Sequence, residues 1–395
     1  MKILLVDPWN FTPPYDAALA SGLAAIGHEV TFVTADEDSP ADSDPRAAVQ
    51  RLALFKTPPA GLPRAAALAL KGLAHIAGMA RLLALARQER PDAIHFQWLP
   101  LPLIDALFLP LFRRIAPVVL TVHDTNPYNG DGPWLLRAGT AAVLTKADRL
   151  IVHNAHSLEV LRARGLPAER IDRVAHGLLM TDAPDAAPAA ANADRDALEQ
   201  GPVRFLQFGK IKDYKGADVL IEAVGRMAPE DRARCRVEIV GRPYIDPEPL
   251  RRRVAELGIE ETLELRFGFV SDEAMAALFA QADFLVFPYR GIDTSGVLMA
   301  AIAKEIPVVA SAIGCFGEML TDQVEGLLLP PDDPDALARA LAELAGAPAK
   351  RQAMQAAMSR LRARIPDWTE IAATTVLTYR KAGPTPLAQT AGVHP

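Results

Sequence analysis

Short apolar runs alternate along the chain with longer stretches in which apolar positions return every three or four residues. The first run predicts a buried strand at Ile3–Asp7, then a helix over Tyr15–Ile26 closed by Gly27, then a strand at Val30–Thr34. The same alternation predicts strands in AIHFQWL (93–99), VVLTVHD (118–124) and RLIVHN (149–154), with helices near 64–88, 103–114 and 133–145. Strands that are apolar throughout, separated by amphipathic helices, are the pattern of a parallel sheet covered on both faces.

The pattern breaks at residues 181–202, TDAPDAAPAAANADRDALEQGP, which carry almost no large apolar side chain. This segment reads as an interdomain linker. Beyond it the alternation restarts, with strands at 203–208, 236–240, 263–267, 283–287 and 306–311. Helices at about 216–228, 247–257, 272–281 and 296–304 separate them, and helices at about 334–346, 349–364 and 367–380 follow. The expected organisation is a first domain over 1–180, a second over 203–366, a closing helix over 367–382 and a frayed tail over 383–395. In two doubly wound parallel sheets, ligands bind at the carboxyl ends of the strands.

Composition narrows the class. At 395 residues the chain exceeds one ordinary core, and a formal net charge of −6 argues against nucleic acid as a general partner. Cys235 and Cys315 lie in apolar segments and read as buried free thiols, which fits a reducing, cytoplasmic setting. The opening apolar run is broken by Asp7 and Pro8, too early for a secretory signal, and no uncharged apolar stretch of spanning length is found.

The most informative stretch is RFLQFGKIKDYKGADVLIEAV (204–224). A strand ends, Gly209 permits a tight exit, and Lys210 and Lys215 flank a loop before Gly216 opens a helix. Ammonium groups beside a helix N-terminus suit a diphosphate; a solvated basic loop reads equally well from these residues alone. In ADFLVFPYRGIDTSGVLMAAIAKEIPVVAS (282–311), a strand runs into a loop that ends at Gly296, at the start of a small-residue helix. The amides of Thr294, Ser295, Gly296 and Val297 form a candidate second anion nest, with simple helix capping as the other reading.

Together with PVVAS, IGCFGEML and DQVEGLLLPPDDPDALARAL, these two elements resemble the carboxyl-terminal half of family 4 glycosyltransferases. The likeness is clear over about 203–345 and fainter over 1–180, through GHEV (27–30), TVHD (121–124) and AHG (175–177). It implies the GT-B fold, an α/β arrangement of two Rossmann-like domains facing a central cleft. It implies that Lys210 and Lys215, with Gly209 and Gly216, bind the diphosphate of a nucleotide-sugar donor, Lys210 standing where the family has arginine. It implies that the Ser295 and Gly296 amides touch the same phosphates or the sugar, and that His123 contacts the transferred sugar. Asp124 is expected to orient its loop, and Gly177 matches a glycine at the domain junction, with His176 in place of asparagine. The implied reaction is retaining and metal-independent, with a nucleotide sugar of unknown base as co-substrate and no further cofactor.

Two departures from the family stand out. Of its paired glutamates, Asp293 is the acid nearest the first position, and Ala300 or Ala301 occupies the second. The family's Gly-Gly loop is replaced by WNFTPPYD (9–16), where Trp9, Asn10 and Tyr15 either face a ligand or simply pack. A catalytically silent GT-B protein is therefore the alternative to an active transferase, and a nucleotide-sugar epimerase on the same fold is a third reading. His153 and His156 have no third metal ligand near them in sequence, and the dinucleotide, P-loop and nucleophile-elbow motifs are missing.

Residues 46–114 carry ten basic side chains against three acids, interleaved with apolar runs such as ALALKGLAHIAGMARLLALA (67–86). Such a surface suits an anionic membrane carrying a lipid-linked acceptor, on the inner face; an ordinary helix pair with one wet side is the other reading.

Overall fold

The computed structural model describes residues 1–35, 49–57, 61, 63–126, 138–179 and 201–383. Nearly all of the expected linker and tail, and residues 133–137 of one expected helix, lie outside them. The chain divides into two compact units, Met1–Gly177 with Pro366–Pro395, and Leu178–Ile365.

The first unit holds seven parallel strands: β1 (Lys2–Asp7), β2 (Glu29–Ala35), β3 (Val49–Phe55), β4 (Ala93–Phe96), β5 (Val118–Thr121), β6 (Arg149–Val152) and β7 (Ile171–Arg173). Their order across the sheet is β3-β2-β1-β4-β5-β6-β7, so the winding reverses between β1 and β4. Helices α1 (Pro13–Ala25), α2 (Arg64–Glu89), α3 (Pro102–Phe112), α4 (Thr140–Lys146) and α5 (Ala155–Ala163) connect them. Prolines in the first turn start α1, where a missing N–H costs nothing, and Gly27 ends it with φ +87°.

The second unit repeats the order, with β8 (Val203–Phe208), β9 (Cys235–Gly241), β10 (Leu263–Phe267), β11 (Phe284–Phe287), β12 (Val308–Ser311) and β13 (Gly326–Leu329) arranged β10-β9-β8-β11-β12-β13. Its reversal falls between β8 and β11. Helices α6 (Ala217–Arg226), α7 (Pro229–Arg232), α8 (Glu248–Leu257), α9 (Asp272–Gln281), α10 (Gly296–Ala303), α11 (Gly314–Met319), α12 (Pro334–Ala345) and α13 (Pro348–Arg362) surround the sheet. Phe284 and Val286 belong to one apolar cluster, Leu285 and Phe287 to another. Alternate residues of a strand point to opposite faces, so both faces of this sheet are covered.

The last helix, α14 (Trp368–Ala382), belongs to the first unit and packs along α1. Asp367 and Glu370 form a capping box at its start. A Cβ on Gly22 would lie 2.3 Å from the Trp368 carbonyl oxygen, and one on Gly177 would lie 2.5 Å from the Trp368 ring.

Three strands were not expected: β3, β7 and β13. The sequence VQRLALF of β3 mixes polar and apolar residues and sits at a sheet edge; β7 has three residues and the opposite edge. Edge strands pair on one side alone, so neither needs a long apolar run. β13 closes the second sheet on the edge opposite β10 with four residues. The short helices α5, α7 and α11 were also missed. Three expected strands are too long: β4, β5 and β6 stop at Phe96, Thr121 and Val152. The residues beyond them, Gln97, Trp98, His123 and His153, are loop residues at the carboxyl end of the sheet.

Helix α2 bears on the expectation of no membrane span. Over Ala66–Glu89 it is long and apolar enough, by length and composition, to cross a membrane, although the sequence shows no wholly uncharged run. Its inner side holds Met79, Leu82, Leu83 and Ala86 in the core of the first unit, so it is a surface helix of a folded domain. Leu68, Leu70, Leu73 and Ile76 remain exposed on it, as do Leu103 and Leu107 on α3.

Gly22→Ala adds helix propensity but drives a methyl group into backbone. The clash is expected to dominate and to destabilise the first unit by about 1–3 kcal/mol. Urea unfolding followed by tryptophan fluorescence measures it; unchanged or raised stability would contradict the seating of α14 on α1.

Candidate functional site

In the second unit, the reversal point between β8 and β11 brings together the two loops singled out in the sequence. After β8, Gly209 has φ +112°, and its missing side chain leaves room for Lys215, whose Nζ lies 3.2 Å from where a Cβ would stand. Lys215 ends a single 3-10 turn, Asp213–Lys215, and is 9% exposed. Its carbonyl accepts from buried Gln207 Nε2 at 2.8 Å, and its ammonium lies 5.1 Å from the centre of the Tyr289 ring. Burial, followed by the like charges of Lys212 and Lys210, lowers its pKa to about 7. Among the described residues no carboxylate pairs with this buried ammonium, and burying such a group unpaired is costly.

Lys210 behaves differently. Its side chain is exposed, and its Nζ lies 5.9 Å from the centre of the Tyr244 ring, with Lys212 and Arg242 each 5.8 Å from the same ring. Gly216 has φ +64° and begins α6; a Cβ there would lie 1.9 Å from the Pro288 carbonyl oxygen. Only glycine permits that approach, which locks the loop after β8 onto the loop after β11.

In the second loop, Ser295 is the N-cap of α10, and its Oγ accepts from Leu298 N at 3.2 Å. The hydroxyl is thus used for capping. The amides of Gly296 and Val297, in the first turn, have no intrahelical partner, as for any helix start. Asp293 and Thr294 lie half-buried just before them. Ala300 and Ala301 face the core, 6% and 0% exposed. Cys315 and Cys235 are free and buried, and burial pushes both thiols up to about 12.

In the first unit, His123 is buried beyond β5. Its ring stacks on Trp98, centroids 5.3 Å apart, and meets Tyr15 edge-on. Its Nε2 lies 3.0 Å from Gln97 Oε1 and its Nδ1 lies 3.3 Å from His153 Nε2. His153 Nδ1 in turn donates to the Val174 carbonyl at 3.0 Å. The two terminal oxygens each ask for an N–H, and the contact between the rings needs a third. Two neutral imidazoles carry two. Turning the Gln97 amide end for end supplies the missing hydrogen without charging a buried ring.

His95 lies next to this chain, its Nδ1 2.8 Å from Tyr379 Oη and its Nε2 2.7 Å from Thr121 Oγ1. Burial lowers His95 and His153 to about 3 and His176 to about 4, and holds His123 well below the ordinary range. Tyr15, one of the loop residues that either faces a ligand or packs, is 2% exposed against His123, His153, His176 and Trp368. It packs. Trp9 and Asn10 are half-buried, with Lys71 Nζ 3.6 Å above the Trp9 ring. Asp7 holds the turn by accepting from the amides of Trp9, Phe11 and Thr12. Asp124 accepts from Asn126 N, as expected of a loop-orienting residue. His156 is exposed on α5, and both ring nitrogens of His153 have protein partners.

Sequence reading missed Gln97, His95 and Tyr379 as partners in this network. For Gln97 the available signal was a polar residue just past the end of β4; His95 lies inside β4 and Tyr379 on α14, and their pairing depends on contacts distant in sequence.

A histidine held neutral by burial makes the folded state poorer in protons than the unfolded state below about pH 6.5. Its share of stability is therefore lost as pH falls from there toward its folded value. The stability advantage of the wild type over His95→Gln should shrink by about 2 kcal/mol between pH 6.5 and 5, at roughly 1.4 kcal/mol per pH unit. Urea unfolding of both proteins at the two pH values reads this difference; an unchanged advantage would mean that His95 is not held neutral.

The family described as "Glycosyl transferases group 1" matches residues 202–346, and that described as "Glycosyl transferase 4-like domain" matches residues 14–177. The D-inositol 3-phosphate glycosyltransferase of Streptomyces scabiei is 31% identical over 301 residues, 73% of this chain and 66% of that protein. The alpha-D-kanosaminyltransferase of Streptomyces kanamyceticus is 25% identical over 284 residues, 65% of this chain and 72% of that protein. The chain spans 66%, 64% and 60% of the first three curated relatives it matches, just under two thirds. Among solved structures, Anabaena Alr3699/HepE in complex with UDP and glucose has a TM-score of 0.74 at 18% identity, over 96% of this chain and 99% of that one. Sucrose-phosphate synthase from Thermosynechococcus elongatus has a TM-score of 0.72 at 20% identity, over 96% and 98%. The chain belongs to the family 4 glycosyltransferases and has their GT-B fold.

Proposed function

We propose that this protein transfers a sugar, with retention of configuration, from a nucleoside diphosphate donor held by its second domain to an acceptor held by its first. The observation that carries the reading is Lys215, buried at the point where the second sheet reverses and without a carboxylate partner among the described residues, with Val297 of the first turn of α10 close to the same Gly209 position. Lys215 would meet the charge that develops on the departing diphosphate, and Lys210 would add to the field from the surface. With these groups neutralising the leaving group, the reaction is proposed to need no divalent cation. Asp293 would bind sugar hydroxyls, and His123 would contact the sugar from the first domain. UDP is the first nucleotide to try, because Anabaena HepE was solved with UDP and UDP-glucose.

A glycan or lipid-linked glycan is the proposed acceptor, for polysaccharide or glycolipid synthesis at the inner face of the membrane. The exposed Leu68, Leu73 and Ile76 on α2, which also carries Lys71 and Arg81, together with Leu107 on α3, favour an anionic membrane surface. Co-sedimentation with vesicles containing anionic lipid is expected at low salt and should fall at least tenfold in Leu73→Glu, Leu107→Glu. Equal sedimentation of the two proteins would remove the membrane from the reading.

The donor site is tested by calorimetric titration with UDP, GDP, ADP and NAD. One diphosphate should bind the wild type, and binding should be lost in a folded Lys210→Ala, Lys215→Ala variant. Because free Lys215 has a pKa near 7, anion binding should raise it. Affinity should therefore decline as pH rises from 7 to 9, and binding at pH 8 should take up close to one proton, read from buffers of different ionisation heat. If no diphosphate binds a well-folded protein, the reading of these lysines fails. Tight binding without turnover would favour the silent protein, which the alanines at 300 and 301 make the second reading.

A further inference from the structure

Arg290 follows β11 by three residues and makes hydrogen bonds to three other parts of the second unit. Its backbone N–H donates to the Tyr214 carbonyl at 2.7 Å, and its Nη1 donates to the Asp213 carbonyl at 2.8 Å. Both acceptors lie in the 3-10 turn that ends at Lys215. The guanidinium also holds Asp218, in the first turn of α6, through Nη1 to Oδ1 at 2.9 Å and Nη2 to Oδ2 at 2.6 Å. Its Nε donates to Asp332 Oδ1, in the loop after β13, at 2.9 Å. A planar fork with fixed donor directions can serve all of these at once; a lysine ammonium cannot.

The turn that Arg290 holds would not choose its place unaided. Lys215 is the one residue of the turn that is buried, and burying an ammonium without a counter-ion opposes folding locally. Left free, a three-residue turn would rotate to return that group to water. Gly216 against Pro288 blocks movement at one end, and Gln207 holds the Lys215 carbonyl. Arg290 adds a restraint on the remaining two residues, its side chain on Asp213 and its main-chain N–H on Tyr214, beside the Gly216 N–H bond to the Asp213 carbonyl and the Tyr289 ring against Tyr214.

We propose that Arg290 is a positioning residue of the diphosphate site, whose fork pins the 213–215 turn and thereby keeps the Lys215 ammonium buried and aimed at an anion. Arg290 does not itself need to touch the ligand: its side chain is already committed to two carboxylates and a carbonyl. The inference rests on the proposed donor site for its use, while the pinning is a property of the free protein.

The test therefore has two arms. In the first, lysine residues labelled with 13C at Cε are followed by NMR from pH 5.5 to 11 without nucleotide, and the Lys215 signal is assigned by its loss in Lys215→Met. The wild type should show one lysine titrating near pH 7. In Arg290→Ala and in Arg290→Lys its midpoint should move upward by a pH unit or more, toward an ordinary lysine. Asp218→Asn, which loosens one arm and keeps the side chain's shape, should move it part of the way and serves if the alanine variant does not fold. In the second arm, UDP, GDP and ADP are titrated into the same proteins at pH 6.5, where a tenfold or greater loss of affinity is expected in both Arg290 variants.

A role in stability alone would lower the melting temperature and leave the Lys215 midpoint in place, which overturns the proposal. So would an ordinary Lys215 midpoint in the wild type, or rescue of the midpoint by Arg290→Lys. A shifted midpoint with no nucleotide binding even in the wild type would uphold the pinning and overturn the donor reading instead.

Discussion

Gly216 lies so close to Pro288 that a methyl group would stand 1.9 Å from its carbonyl oxygen, and the carboxyl end of the second sheet is arranged around that approach. It joins the loop after β8 to the loop after β11 across the point where the winding reverses. Two central parallel strands splay their exits to opposite sides there, leaving a space that side chains must either fill or leave to a ligand. The backbone contact draws the walls together, Gly209 leaves room beneath them, and the Lys215 ammonium occupies that room. A charged group would ordinarily leave such a place. Its retention requires that the turn be held from several sides, and the hydrogen bonds of Gln207 and Arg290 do so.

The first unit solves the equivalent problem by filling the space. At the carboxyl ends of its central strands stand Tyr15, Trp98, His123, His153 and His176, ring against ring, with Trp368 from the last helix closing the group. Burial sets the charge state: His123 and His153, with both ring nitrogens bonded to neutral partners, are far more stable uncharged. The cost is sensitivity to acid, and the gain is a rigid wall in which each tautomer is dictated by its neighbour. The turn before α1 is held by Asp7, whose carboxylate gathers three amides. A loop that glycines would otherwise bring close to a ligand is here packed with aromatic side chains.

The parts of this molecule that were legible in the sequence are those set by neighbours along the chain. The two alternating patterns, the glycines at 209 and 216 and the lysines between them are local; the patterns became two parallel sheets, and the glycines and lysines follow β8 where the second sheet reverses. Family membership and the GT-B fold followed from the same residues. What stayed hidden depends on contacts far apart in sequence. Nothing local marks VQRLALF as a strand, because its pairing with β2 is what makes it one. Nothing near Arg290 announces Asp218 or Asp332, 72 and 42 residues away. The loop before α10 read from the sequence either as an anion nest of amides or as simple capping, and the Ser295 hydroxyl, accepting from Leu298 N, shows the cap. Strand ends were misjudged where polar residues continued an apolar run, as at Gln97 and His123, since a strand can stop without a glycine or proline to mark it.

The return of the last helix to the first unit has a consequence for synthesis. The ribosome delivers residues 1–177 first, yet Trp368 and Tyr379, which complete the aromatic wall and the partner of His95, emerge only after the whole second unit. Until then the first unit presents an open groove along α1 and unpaired polar groups at the end of its sheet. The unit that is born first is therefore the one that matures last, and the nascent chain carries an unfinished apolar seam throughout the making of its second half. Truncation before α14, or a stalled ribosome in that stretch, leaves the seam for chaperones to cover.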